Sequence, residues 1–202
     1  MNYFITGGTG FIGRNLIGSL LKKKKSAKIY ILVRKDSKKK LDALKKEWGR
    51  ASKRVTPLTG DLTKPMLGIT AKKRKELEGK IDHVYHLAAV YDLMADAESQ
   101  IRVNVEGTHN VVQFATDIKA KRFHHMSSIA AAGMYPGVFR EDMFEEANGL
   151  DNPYFRTKHD SEAVVRSECH IPWRIYRPGI VVGHSETGVI DKIDGPYYFF
   201  KL

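Results

Sequence analysis

The sequence predicts an α/β protein built on a doubly wound parallel sheet. Two observations carry this. Short β-prone apolar runs and helix-patterned runs alternate six times along 202 residues. A glycine-spaced turn also joins the first strand directly to the first helix. Parallel strands need crossover connections, and a helix is the usual one, so six alternations imply helices on both faces of one sheet. The elements follow in order. Strands are expected at Asn2–Thr6, Lys28–Val33, Val55–Leu58, His83–Leu87, Phe123–Ser127 and Trp173–Tyr176. Helices are expected at Phe11–Leu21, Leu41–Trp48, Ala71–Glu78, Ser99–Thr116 and Tyr154–Ser167. The expected strand order is 3-2-1-4-5-6.

Composition sets the outer bounds. Hydrophobic residues make up 42% and charged residues 28%, the profile of a globular domain. No apolar run approaches the length of a membrane span, which argues against a transmembrane segment. A strand and glycine turn begin at Asn2, where a signal peptide would need an apolar core. The single cysteine, Cys169, excludes an internal disulfide framework and fits a reducing, cytoplasmic setting. The net charge is +11, with much of the excess between Lys22 and Lys80. These basic runs read as solvated helix ends and faces, with attraction of nucleotide or acyl-CoA polyanions as the functional alternative. No zinc-finger spacing or RNA-stacking motif points to a metal or to nucleic acid.

Thr6-Gly-Gly-Thr-Gly-Phe-Ile-Gly13 follows the first strand and opens the first helix. Gly7 permits a sharp turn, Gly10 lets the backbone approach a pyrophosphate, and Gly13 lets the helix pack close to the sheet. Phe11 and Ile12 lie at the helix N-terminus, whose free N–H groups favour phosphate. In this context the motif is that of a Rossmann dinucleotide site. The second strand ends Leu32-Val33-Arg34-Lys35, where an NAD site usually places an acid. Arg34 can pair bidentately with a 2′-phosphate and Lys35 adds charge, so NADP(H) is the expected cofactor. Asp36, just beyond, is the competing NAD reading. Gly60-Asp61-Leu62 offers Asp61 to the adenine amino group, against a plain helix cap.

Tyr154 and Lys158 lie four apart on a predicted helix and therefore share a face. An ammonium beside a phenol lowers the phenol pKa and suits it to general-acid work. The fifth strand ends at Ser127-Ser128, on the carboxyl edge where ligands of such sheets bind. Spacing to Gly133 favours Ser128 as the hydroxyl that meets a substrate carbonyl. The bland alternative is that both serines merely end the strand.

Together these segments resemble the extended short-chain dehydrogenases/reductases in order and spacing. They are the glycine turn, Gly60-Asp-Leu62, His86-Leu-Ala-Ala89, Asn104-Val-Glu-Gly-Thr108, Ser127-Ser128, Tyr154-x-x-x-Lys158 and Arg177-Pro-Gly179. The resemblance implies that Leu87, Ala88 and Ala89 line the nucleotide and that Arg177 and Pro178 lie near the nicotinamide. It implies Ser128, Tyr154 and Lys158 as the catalytic set, with Asn104 as a structural or proton-relay residue. Leu32-Val-Arg34, Gly137–Met143, Val182–Gly188 and Asp191–Pro196 are similar to the fatty acyl-CoA and thioester reductase branch, including bacterial members fused to a second reductase domain. That branch implies NADPH-dependent reduction of an acyl-CoA to an aldehyde, or onward to an alcohol. Sugar-nucleotide epimerases or dehydratases and hydroxysteroid-type dehydrogenases share the general motifs but fewer of these segments. A non-catalytic NADP-binding regulator is the alternative outside enzymology. Residues 1–202 are read as one nucleotide-binding domain. The aromatic run Pro196–Leu202 makes a poor exposed terminus, so the expectation is a truncated piece whose substrate-binding part is largely missing and whose apolar end promotes self-association.

Overall fold

The computed structural model describes residues 1–90 and 96–190. Asp191–Pro196 and the aromatic run Pro196–Leu202 therefore lie outside the described residues. One six-stranded parallel sheet runs in the order β3-β2-β1-β4-β5-β6, as the alternation predicted. Its strands are β1 (Asn2–Thr6), β2 (Lys28–Val33), β3 (Val55–Thr59), β4 (His83–His86), β5 (Phe123–Met126) and β6 (Trp173–Tyr176). The chain reverses direction across the sheet between β1 and β4, which pair from Tyr3↔His83 to Thr6↔His86. The carboxyl ends of these two strands therefore bound the crevice in which such sheets bind ligands.

Strand alternation sorts the core into two layers. Tyr3 and Ile5 face one way, with Ile29, Ile31 and Val33, and pack under α1 (Phe11–Lys23) and α2 (Lys38–Glu47) through Ile17, Leu21 and Leu41. Phe4 faces the other way, where Val84 and Phe123 join side chains of α3 (Ala71–Leu77), α5 (Gly107–Asp117) and α6 (Pro153–Glu168). Phe4 and Phe114 pack at 4.6 Å between ring centroids. Pro57 sits inside β3, opposite Ile31. It is tolerated because β3 is an edge strand, where a missing N–H leaves no neighbour unpaired.

The helix expected over Ser99–Thr116 proves to be composite. A short α4 (Ala97–Gln100), capped by Asp96, runs into a wide π-type turn at Ile101–Glu106 before α5 begins. The Gly107 N–H reaches back to the Arg102 carbonyl, and the Thr108 hydroxyl donates to the Asn104 carbonyl at 2.6 Å. Apolar periodicity reports helix but not this one-residue bulge, which rests on side chains far away in sequence. The lysines at 22–25 and 38–40 stand exposed, as solvated runs do. Among the described residues no helix is long and apolar enough to cross a membrane.

Candidate active site

The glycine turn is shaped by what it lacks. Gly7 adopts φ +68°, and a Cβ there would lie 2.6 Å from the Ala88 nitrogen. A Cβ on Gly13 would lie 2.3 Å from the Gly7 carbonyl oxygen. Both positions therefore require glycine, one for conformation and packing, the other for packing alone. At Gly10 an added Cβ would meet only Gly7 O, at 3.3 Å. Gly10 caps α1 with no side-chain hydrogen bond, and the first turn holds no acidic residue. The N–H groups at Phe11, Ile12 and Gly13 thus keep the positive helix end that a pyrophosphate needs. This arrangement fits a dinucleotide.

Thr6 serves the site from beneath. Its side chain is fully buried, and it joins a chain of hydrogen bonds whose direction can be assigned. The Ala88 N–H donates to Thr6 Oγ1 at 3.3 Å. Thr6 Oγ1 and His86 Nδ1 are 2.8 Å apart, and His86 Nε2 and Thr108 Oγ1 are 3.0 Å apart. Thr108 spends its proton on the Asn104 carbonyl, so His86 must donate from Nε2 and accept from Thr6 at Nδ1. Burial pushes the His86 pKa down to about 3, consistent with that neutral tautomer. His86 therefore locks the Leu87–Ala89 turn against the glycine turn.

Arg34 and Lys35 are exposed, Arg34 at the start of a tight 3₁₀ turn that also carries Asp36. Asp61 accepts from the Thr63 N–H at 3.0 Å and from the Thr63 hydroxyl at 2.9 Å. The backbone bond first, then the hydroxyl, with Lys64 and Arg34 adding charge, hold its carboxyl below the usual range against the opposing effect of burial. Its local role is thus a side-chain turn, close to the cap alternative. Leu62 packs beside Gly107, and its carbonyl accepts from Asn110 at 2.7 Å.

At the other end of the crevice, α6 begins at Pro153 with Asn152 as its cap, so Tyr154 and Lys158 both fall in the first two turns. Both side chains are buried, and the Lys158 ammonium stands 6.0 Å from the Tyr154 ring centroid. Lys158 Nζ donates to the Met126 carbonyl at 3.2 Å, which ties it to the end of β5. Burial lowers its pKa to about 8, with the Glu162 charge opposing that shift. The two serines separate cleanly. Ser127 is buried and donates to Glu162 Oε1 at 2.6 Å. Ser128 is half-buried at the head of a short turn, where its oxygen accepts from the Ala130 N–H at 3.2 Å.

Asn104 is committed on every side. Its Oδ1 accepts from the Val90 N–H at 2.8 Å, and its amide donates to Val90 O at 3.2 Å and Thr157 Oγ1 at 3.3 Å. It holds the chain beyond β4 against α6, next to the Tyr154–Lys158 pair. Arg177 is engaged by protein. Its guanidinium is turned onto Glu162, at 2.9 Å from Nε and 2.7 Å from Nη2. The Pro178 carbonyl accepts from the Ile129 N–H at 3.1 Å, joining the segments after β5 and β6. Sequence reasoning passed over Glu162 and Thr157. The signal for Glu162 was its position, four residues beyond Lys158 on the same helical face.

A glycine turn at one strand end and a buried tyrosine–lysine pair across the sheet define an extended short-chain dehydrogenase/reductase that binds a nicotinamide dinucleotide. Residues 5–202 match the NAD-binding family described as Male sterility protein, and the chain belongs to that family, in the thioester reductase branch. It is 33% identical over 205 residues to a linear gramicidin synthase protein of Brevibacillus parabrevis, covering 94% of this chain and 4% of that protein. It is 29% identical to fatty acyl-CoA reductase wat of Drosophila melanogaster, covering 96% of this chain and 46% of that protein. The terminal R domain of the myxalamid PKS-NRPS pathway superposes with a TM-score of 0.81 at 29% identity, over 92% of this chain and 50% of that domain. The chain thus spans half or less of the length of each.

Proposed function

We propose that this chain is the nucleotide-binding part of an NADPH-dependent reductase of acyl thioesters, with a fatty acyl-CoA as the expected substrate. The observation that carries the reading is the buried Tyr154–Lys158 pair, tethered to the end of the same strand that presents Ser128. The names borne by the fly and synthase relatives support the thioester class. Arg34, exposed at the end of β2, supports NADPH over NADH through pairing with a 2′-phosphate.

The cofactor would lie on the Gly7–Gly13 turn, with the Leu87–Ala89 turn and Lys158 along it, and it supplies the hydride. The chain does the rest. The Ser128 and Tyr154 hydroxyls hold the thioester oxygen as negative charge develops on it. Tyr154 gives its proton to that oxygen, while the Lys158 ammonium favours the phenolate left behind. The carbon–sulfur bond then breaks as the new hydroxyl gives up its proton and the departing sulfur takes one up, leaving an aldehyde and a free thiol, and the phenolate regains its proton from solvent. A second equivalent of hydride and proton would yield the alcohol. Asn104 acts by holding the Val90 backbone and Thr157, not by touching substrate.

The test is NADPH oxidation by a polypeptide that includes the substrate-binding part as well as this chain, measured with an acyl-CoA, with the same acyl group on a protein carrier, with a UDP-sugar and with no substrate. Oxidation with either thioester, with aldehyde and free thiol formed in equal amounts, supports the reading. Turnover of the UDP-sugar alone assigns the site to the sugar-nucleotide enzymes. Cofactor binding without turnover of any of them identifies a regulator.

A further inference from the structure

We propose that Glu162 is a positioning residue of the Tyr154–Lys158 pair, its buried carboxylate serving as the counter-charge of Lys158 and as the anchor that draws the ends of β5 and β6 onto α6. The inference rests on the catalytic reading of that pair and deepens it.

Glu162 has no exposed side-chain surface. A lone carboxylate in that position would be costly, so its partners define its role. Oε1 accepts from Ser127 at 2.6 Å and from Arg177 Nε at 2.9 Å, and Oε2 accepts from Arg177 Nη2 at 2.7 Å. The Arg166 guanidinium lies 3.8 Å from Oε2. Arg177 passes the contact on, donating to Met143 O at 3.0 Å and Arg140 O at 3.4 Å. A single carboxylate therefore joins α6, the last turn of β5, the last turn of β6 and the 140–143 segment. By occupying Ser127, it leaves Ser128 as the hydroxyl of that strand end available to a substrate.

Helical spacing puts Glu162 one turn beyond Lys158 on the same face. The other titratable or charged groups facing the lysine are Tyr154 on its own helix, His86 on β4 and His125 on β5, with Arg177 and Arg166 behind Glu162. Both histidines are buried and held neutral, His86 and His125 alike by desolvation. Among the described residues Glu162 is thus the anion that favours the charged form of Lys158, against burial that pushes the other way.

The experiment compares wild type with Glu162→Gln and with Glu162→Gln/Arg177→Met, which removes the ion pair as a unit and guards against a misfolded single variant. Lysine-selective 13Cε labelling follows the Lys158 signal against pH, assigned by its loss in Lys158→Met. Thioester turnover is measured over the same pH range. The expected result is a Lys158 midpoint about 1 lower in Glu162→Gln, in line with loss of a near opposite charge, and a smaller drop in the double variant, which also loses the Arg177 cation. With the wild-type midpoint at about 8, the charged fraction in Glu162→Gln then falls about ninefold at pH 9 and about twofold at pH 7. The turnover loss should follow that slope. An unmoved midpoint in folded Glu162→Gln overturns the proposal, as does an equal turnover loss at every pH. A wild type that includes the substrate-binding part and still turns over no thioester removes the proposed function, while the NMR titration still decides the role of Glu162.

Discussion

The two halves of the crevice are built on opposite principles. The β1–α1 half works by omission: Gly7 and Gly13 make room, and α1 lacks a side-chain cap, so its first backbone N–H groups are left without one. The α6 half works by burial: Tyr154, Lys158 and Glu162 are charged or polar groups packed out of solvent, with Lys158 and Glu162 fixed by hydrogen bonds. The first half can recognise any dinucleotide pyrophosphate. The second sets protonation states, so chemistry should reside there. The difference teaches that a change of shape should break binding on one side, whereas a change of charge or of a single hydroxyl should break turnover on the other.

The largest expected effect tests the second half. Tyr154→Phe should cut thioester reduction by about 10²–10⁴, the usual contribution of a positioned acid, while NADPH affinity changes little. Retention of more than roughly a tenth of the activity would take the tyrosine out of the mechanism. The matching change in the first half is Gly13→Ala. Its Cβ would press on Gly7 O, so it should cost about 1–3 kcal/mol of stability and most of the nucleotide affinity. Thermal unfolding with and without NADPH reads both. If ligand-induced stabilisation survives in Gly13→Ala, steric shape is not what makes the first half.

The third prediction concerns acid. His86 is held at about 3 in the fold, against an ordinary value near 6.5, so the unfolded chain binds the extra proton between those limits. Stability should therefore be fully present above about pH 6.5 and fall as pH drops toward 3, by a few kcal/mol. His124, pushed to about 4, acts in the same direction. Lys158 has the same sign at alkaline pH: its folded value of about 8 lies below that of the unfolded chain, so stability should rise from pH 8 toward 10.5, again on the scale of a few kcal/mol. Urea titrations across pH measure these slopes, and a flat acid limb in wild type would contradict the neutral His86. The smallest effect is on selectivity. NADPH should bind at least about tenfold more tightly than NADH, or about 1.4 kcal/mol, and Arg34→Ala should erase the difference. Equal wild-type affinities would shift the assignment to Asp36 and NAD.

Legibility in the sequence followed the same divide. The sheet order, the glycine turn and the helical pairing of Tyr154 with Lys158 were readable because each depends on local spacing. Ser128 was favoured over Ser127 by its spacing to Gly133 alone, and what occupies Ser127 was not readable. That depends on Glu162, 35 residues away, which takes the Ser127 hydroxyl. The pairing of Arg177 with Glu162 was hidden for the same reason: the two residues lie on different elements, and neither sequence neighbourhood points to the other. The bulge at Ile101–Glu106 was hidden because Asn104 reads as an ordinary helix residue until Val90 and Thr157 are brought to it. Sequence patterns report faces and turns. Buried polar networks report which distant segments meet, and single-sequence periodicity carries little of that.

The hydrogen-bond chain through His86 also has a consequence for how the protein acquires its shape during synthesis. Thr6 and His86 are 80 residues apart, and Thr108 lies 22 further on. The loop entropy for this closure must be met before the bonds return anything. A nascent chain that has completed only β1, α1 and β2 holds its glycine turn unlocked. The turn becomes rigid only when β4 docks beside β1 and the start of α5 has emerged, so competence to hold a nucleotide should appear late and abruptly, as a product of completed topology.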